Sequence, residues 1–220
     1  MSPWRGDPNI ACLAPAGGRP LQASSLDAVV TELRERGYRS VLTAALTVNE
    51  QDTFLAAGFR VHEELHLLRH DLDAVPTLSS VRLRRGRRSD VRAVLDVDNL
   101  AFDRFWRFDS LGLADARCAT PTSRFRVAEH QVPVAGYAVC GRAATTGYLQ
   151  RLAVHPSLQG RGIGSSLVVD ALRWSRRRGA RSVMVNTQSD NSRALVLYER
   201  LGFVRELQGL AVLELNLQWP

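Results

Sequence analysis

The passage Tyr148 to Leu167, YLQRLAVHPSLQGRGIGSSL, holds residue types at a spacing that could do chemistry. A strand is expected to end at Val154, Pro156 turns the chain out of extended pairing, and Gly160, Gly162 and Gly164 lead into a helix. The apolar face of that helix would be Ile163, Leu167, Val168, Ala171 and Leu172. Glycines at a strand-to-helix turn let the backbone approach a ligand closely, and the first helical turn offers unpaired N–H groups at the positive end of the dipole. The arrangement suits a diphosphate, with Ser165 and Ser166 adding hydroxyl donors, while His155 shapes the turn before Pro156. As a dinucleotide loop GxGxxG started at Gly160, the third glycine falls on Ser165, and Ala180 stands where an acidic residue is required. That reading is weak.

The elements that must position this turn alternate between strands and helices. VRLRRGR reads as a strand, and Ser89, followed by Asp90, as the cap of a helix with Val91, Val94, Leu95 and Val97 at helical spacing. A second helix is expected near Leu111 to Ala119. RFRVAEH and VPVAGYAVCGR form a hairpin around Gln131. GYLQRLAV, SSLVVDALRWSRRRG, RSVMVNT and NSRALVLYERLG then read as strand, helix, strand and helix, and FVRELQGL with AVLELNLQ as closing strands. The fold class is α/β or α+β, with a mixed sheet flanked by helices.

The early segment VVTELRERGYRSVLTAALTVNEQDTFLAAGFRVHEEL can be laid on the late segment ALRWSRRRGARSVMVNTQSDNSRALVLYERLGFVREL with one two-residue gap. Gly37 then meets Gly179, Ser40 and Val41 meet Ser182 and Val183, Asn49 meets Asn191, and Gly58-Phe59 meets Gly202-Phe203. Phe54 takes the place of Tyr198, and the early copy has no glycine-rich turn. The expected division is a degenerate half-domain over 1–75, a linker over 76–80 around Pro76, and a full domain over 81–220.

All 29 basic side chains are arginine, which excludes Schiff-base lysine chemistry and the lysine of a phosphate-binding GxxxxGK[ST] loop. The net charge is +7, but the clusters Arg82 to Arg88 and Arg176 to Arg178 are not interleaved with aromatics, so a nucleic-acid partner is not expected. Cys12, Cys118 and Cys140 contain no CxxC pair, and His62, His66 and His70 fall partly on a strand without completing ligand spacing, so no metal is expected. The segment MSPWRGDPNIACLAP lacks a secretory pattern and no apolar run approaches a membrane span, so a soluble, cytoplasmic protein without a membrane partner is expected. The oligomeric state is open.

The passage resembles the GNAT superfamily of acyl-CoA N-acyltransferases, whose motif runs as a strand ending LxVxPxxQ/R and then xxGxG/A. Leu152, Val154, Pro156, Gln159, Gly162 and Gly164 fill those places, and Asn191, Tyr198 and Gly202-Phe203 match a second family pattern. The resemblance spans Val81 to Pro220, with sharp motifs in the later half, and the tail NSRALVLYERLGF looks most like enzymes that acetylate protein N-termini. It implies acetyl-CoA as co-substrate, held by Leu152, Ala153, Val154, Gln159, Gly160, Arg161, Gly162, Ile163, Gly164, Ser165 and Asn191. It implies a mixed, mostly antiparallel sheet flanked by helices, preceded by a partial repeat of the same fold, and Tyr198 as general acid. Seven residues at about 100° bring Asn191 and Tyr198 within roughly 20° on a helix. A phenol near pKa 10 can give a proton or hydrogen bond to a departing thiolate of about 8.5.

The acceptor would be a primary amine, on a peptide N-terminus or a small molecule, attacking directly. Gln150 stands where relatives often carry a glutamate, and Glu129, Asp103 and Asp109 are the remaining candidates for a base. The run AFDRFWRFD lies where the family places its acceptor lid. The missing strand carboxylate also fits an alternative, a non-catalytic CoA-binding regulatory module.

Overall fold

The computed structural model describes residues 2–5, 7–14, 23–77 and 81–218. The expected linker 76–80 therefore falls partly, at 78–80, outside the described residues. The chain divides into two compact units, one of Met1–Leu67, Asn186–Asn191 and Glu206–Pro220, the other of Leu68–Val185 and Ser192–Arg205.

In the first unit β1 (Ser2–Trp4) and β2 (Asp7–Leu13) pair antiparallel, and β2 runs parallel to β3 (Ser40–Thr43). Helix α1 (Ala23–Glu35) joins β2 to β3, and α2 (Val48–Ala56) leads into β4 (Arg60–His70). The last strand, β11 (Leu210–Asn216), is antiparallel to both β3 and β4. Leu26, Leu33, Val41, Phe54, Phe59 and Leu213 make its core. The pairing Leu215↔Val41 and Glu214↔Leu42 assigns the C-terminal strand to this unit, so the two units interleave along the chain.

The second unit is built on β5 (Arg82–Arg85), β6 (Thr122–His130), β7 (Val132–Ala143) and β8 (Thr146–Val154), each antiparallel to the next, with β9 (Ser182–Gln188) parallel to β8. Alternate side chains point to opposite faces and feed two cores. Helices α3 (Val91–Ala101) and α4 (Ser110–Cys118) cover one face through Val94, Val97 and Leu113, packed with Phe125, Val127 and Tyr137. Helices α5 (Ile163–Arg177) and α6 (Ser192–Arg200) supply Leu167, Leu172, Leu195 and Tyr198 to the other. Leu167 and Leu172 are 1% and 0% exposed, and burial of each is worth about 1.5–3 kcal/mol.

Three local expectations differ from the structure. Ser89 does not cap α3: a 3-10 turn, Arg88–Asp90, precedes the helix, and the buried Asp90 carboxylate accepts from the Arg87 amide at 2.7 Å and from both Arg84 terminal nitrogens. FVRELQGL is not one strand: it holds the two-residue β10 (Val204–Arg205), paired with Leu68 and Arg69 of β4, and at Leu210 the first residue of β11. In the repeat, α2 and α6 each begin ten residues before their closing glycines, Gly58 and Gly202; counted back from these, Asn191 corresponds to Thr47, not Asn49, so the gap lies in the loop before each helix. The two copies otherwise repeat their hydrogen bonds. Phe59 donates to the Phe54 carbonyl as Phe203 does to Tyr198, and Gly58 to Leu55 as Gly202 does to Glu199.

Candidate active site

Strand β8 pairs with β7 along its whole length, from Ala143↔Thr146 to Gly136↔Val154. On its other side the pairing with β9 covers only Thr146, Gly147 and Tyr148 among the described residues. The edge from Leu149 to Val154 is therefore left without a strand partner there. A bulge falls within this stretch: Cys140 opposes Leu149 and Val139 opposes Arg151, so Gln150 is the extra residue, and such an insertion bends the strand and increases its twist. An extended ligand backbone can pair with an edge of this kind.

The open edge runs straight into the glycine turn. Pro156–Leu158 is a single 3-10 turn, and the His155 ring accepts from the Ser157 amide. Gly160 and Gly162 both have positive φ, 78° and 76°, and Gly162 is the residue preceding α5. Left-handed residues alternating with ordinary ones point successive amides into one concavity. The first amide of this helix to bond back is Ser166, to the Gly162 carbonyl at 3.0 Å. Among the described residues the amides from Gly160 to Ser165 meet no protein acceptor. Space above the turn is open, since a Cβ added at Gly160 would meet nothing within 4 Å. Gly164 is closed in by packing: a Cβ there would lie 3.3 Å from Leu197 Cδ2 of α6 and 3.7 Å from Val154 Cγ2, so the end of β8, the start of α5 and α6 converge at this point.

The expected ligand-binding residues divide into two kinds. Leu152, Ala153 and Val154 lie in the open stretch of β8, and Gly160, Arg161, Gly162, Ile163, Gly164 and Ser165 form the turn, with Arg161 exposed and donating to Gln131 Oε1 at 3.1 Å. Ile163 is 1% exposed, so only its backbone faces the turn. Gln159 holds the turn together: its amide reaches the Pro156 carbonyl at 3.3 Å, its Nε2 donates to the Val154 carbonyl at 3.2 Å, and its Oε1 accepts from Arg193. Asn191 sits one residue before α6 rather than within it, and its amide donates to the Gln188 carbonyl at 3.1 Å.

Tyr198, on α6, is 5% exposed and packs on Phe203 with ring centroids 5.5 Å apart. Its hydroxyl has no hydrogen-bond partner among the described residues. Burial pushes the phenol well above its ordinary pKa, opposed by the positive charge of Arg151, so it stays protonated at neutral pH. The three carboxylates considered as bases all have other partners. Glu129 accepts from Arg84 at 2.5 Å and pairs with Arg82 at 3.1 Å, Asp109 caps α4 through the Gly112 amide at 2.7 Å, and Asp103 accepts from the amides of Phe105 and Trp106. The Gln150 Oε1 is buried without a hydrogen-bond partner among the described residues.

Sequence reasoning missed one cluster. Asp98 of α3, 0% exposed, accepts two bonds from Arg151 of β8 at 2.7 Å each, one from the Tyr137 hydroxyl at 2.5 Å and one from the Phe108 amide at 2.7 Å. A carboxylate at a core-facing helical position and an arginine inside an apolar strand were the available signals. Elsewhere burial pushes the Cys140 thiol up to about 12, which leaves it inert at neutral pH.

A family model described as the Acetyltransferase (GNAT) family matches residues 91–203. The chain belongs to the GNAT acetyltransferase family. It is 42% identical over 60 residues to a mycothiol acetyltransferase of Saccharopolyspora erythraea, covering 27% of this chain and 20% of that protein. It is 33% identical over 105 residues to N-alpha-acetyltransferase MAK3 of Arabidopsis thaliana, covering 43% of this chain and 55% of that one. The chain thus spans from a fifth to just over half of these relatives. A tandem GNAT protein from the clavulanic acid biosynthesis pathway shares the fold, with a TM-score of 0.64 at 14% identity, over 90% of this chain and 70% of that structure. Among the described residues no helix is long and apolar enough to cross a membrane.

Proposed function

We propose that this chain transfers an acetyl group from acetyl-CoA to a primary amine, of a protein N-terminus or a small molecule, by direct attack. The observation that carries the reading is the continuity of the open β8 edge, Leu149 to Val154, with the unengaged amides of Gly160 to Ser165. The amides would bind the diphosphate at the positive end of α5, and the edge would pair with the pantetheine arm. When bound, the cofactor supplies a thioester carbonyl and a thiolate leaving group. A backbone N–H near Val154 would polarise that carbonyl, an oxyanion contact worth about 3 kcal/mol in well-studied enzymes. Tyr198 would donate to the departing sulfur, as a phenol held in its neutral form by burial can.

The amine must arrive deprotonated. The carboxylates weighed as bases are engaged elsewhere, so its proton would leave to solvent or through a water chain. The N-alpha-acetyltransferase relative supports a peptide N-terminus as one acceptor class. The test is release of free thiol from acetyl-CoA with a panel of amines and N-terminal peptides. Thiol released in proportion to acetylated amine supports the reading. CoA binding with no turnover on any amine would favour the regulatory module, for which the uncharged Gln150 on β8 is the one specific observation.

A further inference from the structure

The α3–α4 loop, residues 102–109, is held at three points by one side chain and its counter-ion. Arg151 donates from Nη2 to the Trp106 carbonyl at 2.7 Å, and its guanidinium lies over the rings of Phe102 and Phe108, 3.5 and 3.9 Å from their centroids. Asp98, which Arg151 grips with two bonds, accepts from the Phe108 amide. Arg151 itself lies in the open half of β8, next to the Gln150 bulge and directly before Leu152.

A buried ion pair is a poor way to gain stability, since desolvation offsets most of the attraction and apolar residues of similar volume often do as well. What this pair supplies is direction: its bonds end on backbone atoms of the loop, which no apolar replacement could engage. We propose that Arg151 is a positioning residue that fastens the loop 102–109 to the open half of β8 and thereby sets where the acceptor amine is held. The inference rests on the acetyl-transfer reading for its consequence and on the loop contacts for its substance. Removing the pair loosens the loop and weakens amine binding, while the glycine turn keeps its grip on the cofactor.

Arg151→Met and the double variant Asp98→Leu/Arg151→Met test this, the second keeping the site apolar should the first leave an unpaired Asp98 that unfolds the protein. Trypsin cleavage after the exposed Arg104 and Arg107 is followed by mass spectrometry beside cleavage after Arg177 of α5, with CoA titrated by calorimetry. Expected is cleavage in the loop faster by about tenfold with Arg177 unchanged, a CoA dissociation constant within about twofold, and a raised KM for the amine. Loop cleavage that is unchanged, or that rises only in step with Arg177, overturns the proposal, as does an unaltered amine KM in a double variant whose loop is cut faster. Failure of the unaltered protein to bind CoA or acetylate any amine counts instead against acetyl transfer, and the proteolysis still decides the loop.

Discussion

Tyr198 carries the most specific chemical expectation. A phenol raised by burial remains protonated through the range in which a thiolate of pKa about 8.5 forms, so it can donate throughout that range. Tyr198→Phe should lower kcat by about 100-fold with little change in the KM for acetyl-CoA, and the native rate should not fall between about pH 7 and pH 10. Steady-state kinetics across that range check both points; unchanged kcat in the variant removes the residue from this role. Gly162 offers a second test. Its φ of 76° lies where an L side chain costs about 1–2 kcal/mol, and relaxing it would swing the neighbouring amides out of the turn. Gly162→Ala should therefore weaken CoA binding by about tenfold, read by calorimetry. Glycine spacing is a local signal, which is why this half of the site was legible in the sequence. The Asp98–Arg151 cluster was not, because its partners lie 53 residues apart and meet only after α3 has packed on the sheet.

At the scale of elements, the helices and most strands follow from periodicity, whereas caps and short strands depend on partners that sequence does not reveal. Asp90 is fixed by Arg84 on β5, which leaves Ser89 nothing to cap. FVRELQGL has the composition of a strand, yet its pairing with β4 is interrupted between Glu206 and Leu210, where Leu207 emerges fully exposed at 104%. The end of β4 yields a pH prediction. His70 is 2% exposed, its Nδ1 accepts from the Leu72 amide, and its ring packs edge-on against Phe203. Burial depresses its pKa below 6.5 and outweighs the opposing pull of Asp71, the Leu201 backbone and Asp73. The folded state thus holds the neutral ring, so the stability is fully present above about pH 6.5 and is lost as the pH falls and the unfolded chain takes up the proton. Melting temperature should decline from pH 7 to pH 5, and His70→Asn, which keeps an acceptor for Leu72, should flatten that decline. An equal slope in the variant would assign the pH sensitivity to other groups.

On the scale of the whole molecule, the repeated helix-strand-helix-strand pattern was legible because glycines and closing aromatics recur, and Gly37, Gly58, Gly179 and Gly202 all adopt φ between 81° and 91°. The interleaving of the units was not, since the partner of β11 is set by pairs such as Glu214↔Leu42, far apart in sequence. The early copy has Phe54 in place of Tyr198 and lacks the glycine turn, so the proposed acetyl-transfer chemistry rests on Tyr198 and the turn after β8 and not on the early copy. That assignment depends on the backbone amides of one turn gripping a diphosphate. The most direct measurement is calorimetric titration of the full chain with CoA and, separately, with pantetheine, which has the same arm but no diphosphate. CoA should bind with a dissociation constant on the order of micromolar and pantetheine more weakly by about 100-fold or more. Equal affinity for the two, or no binding of CoA, would contradict the account.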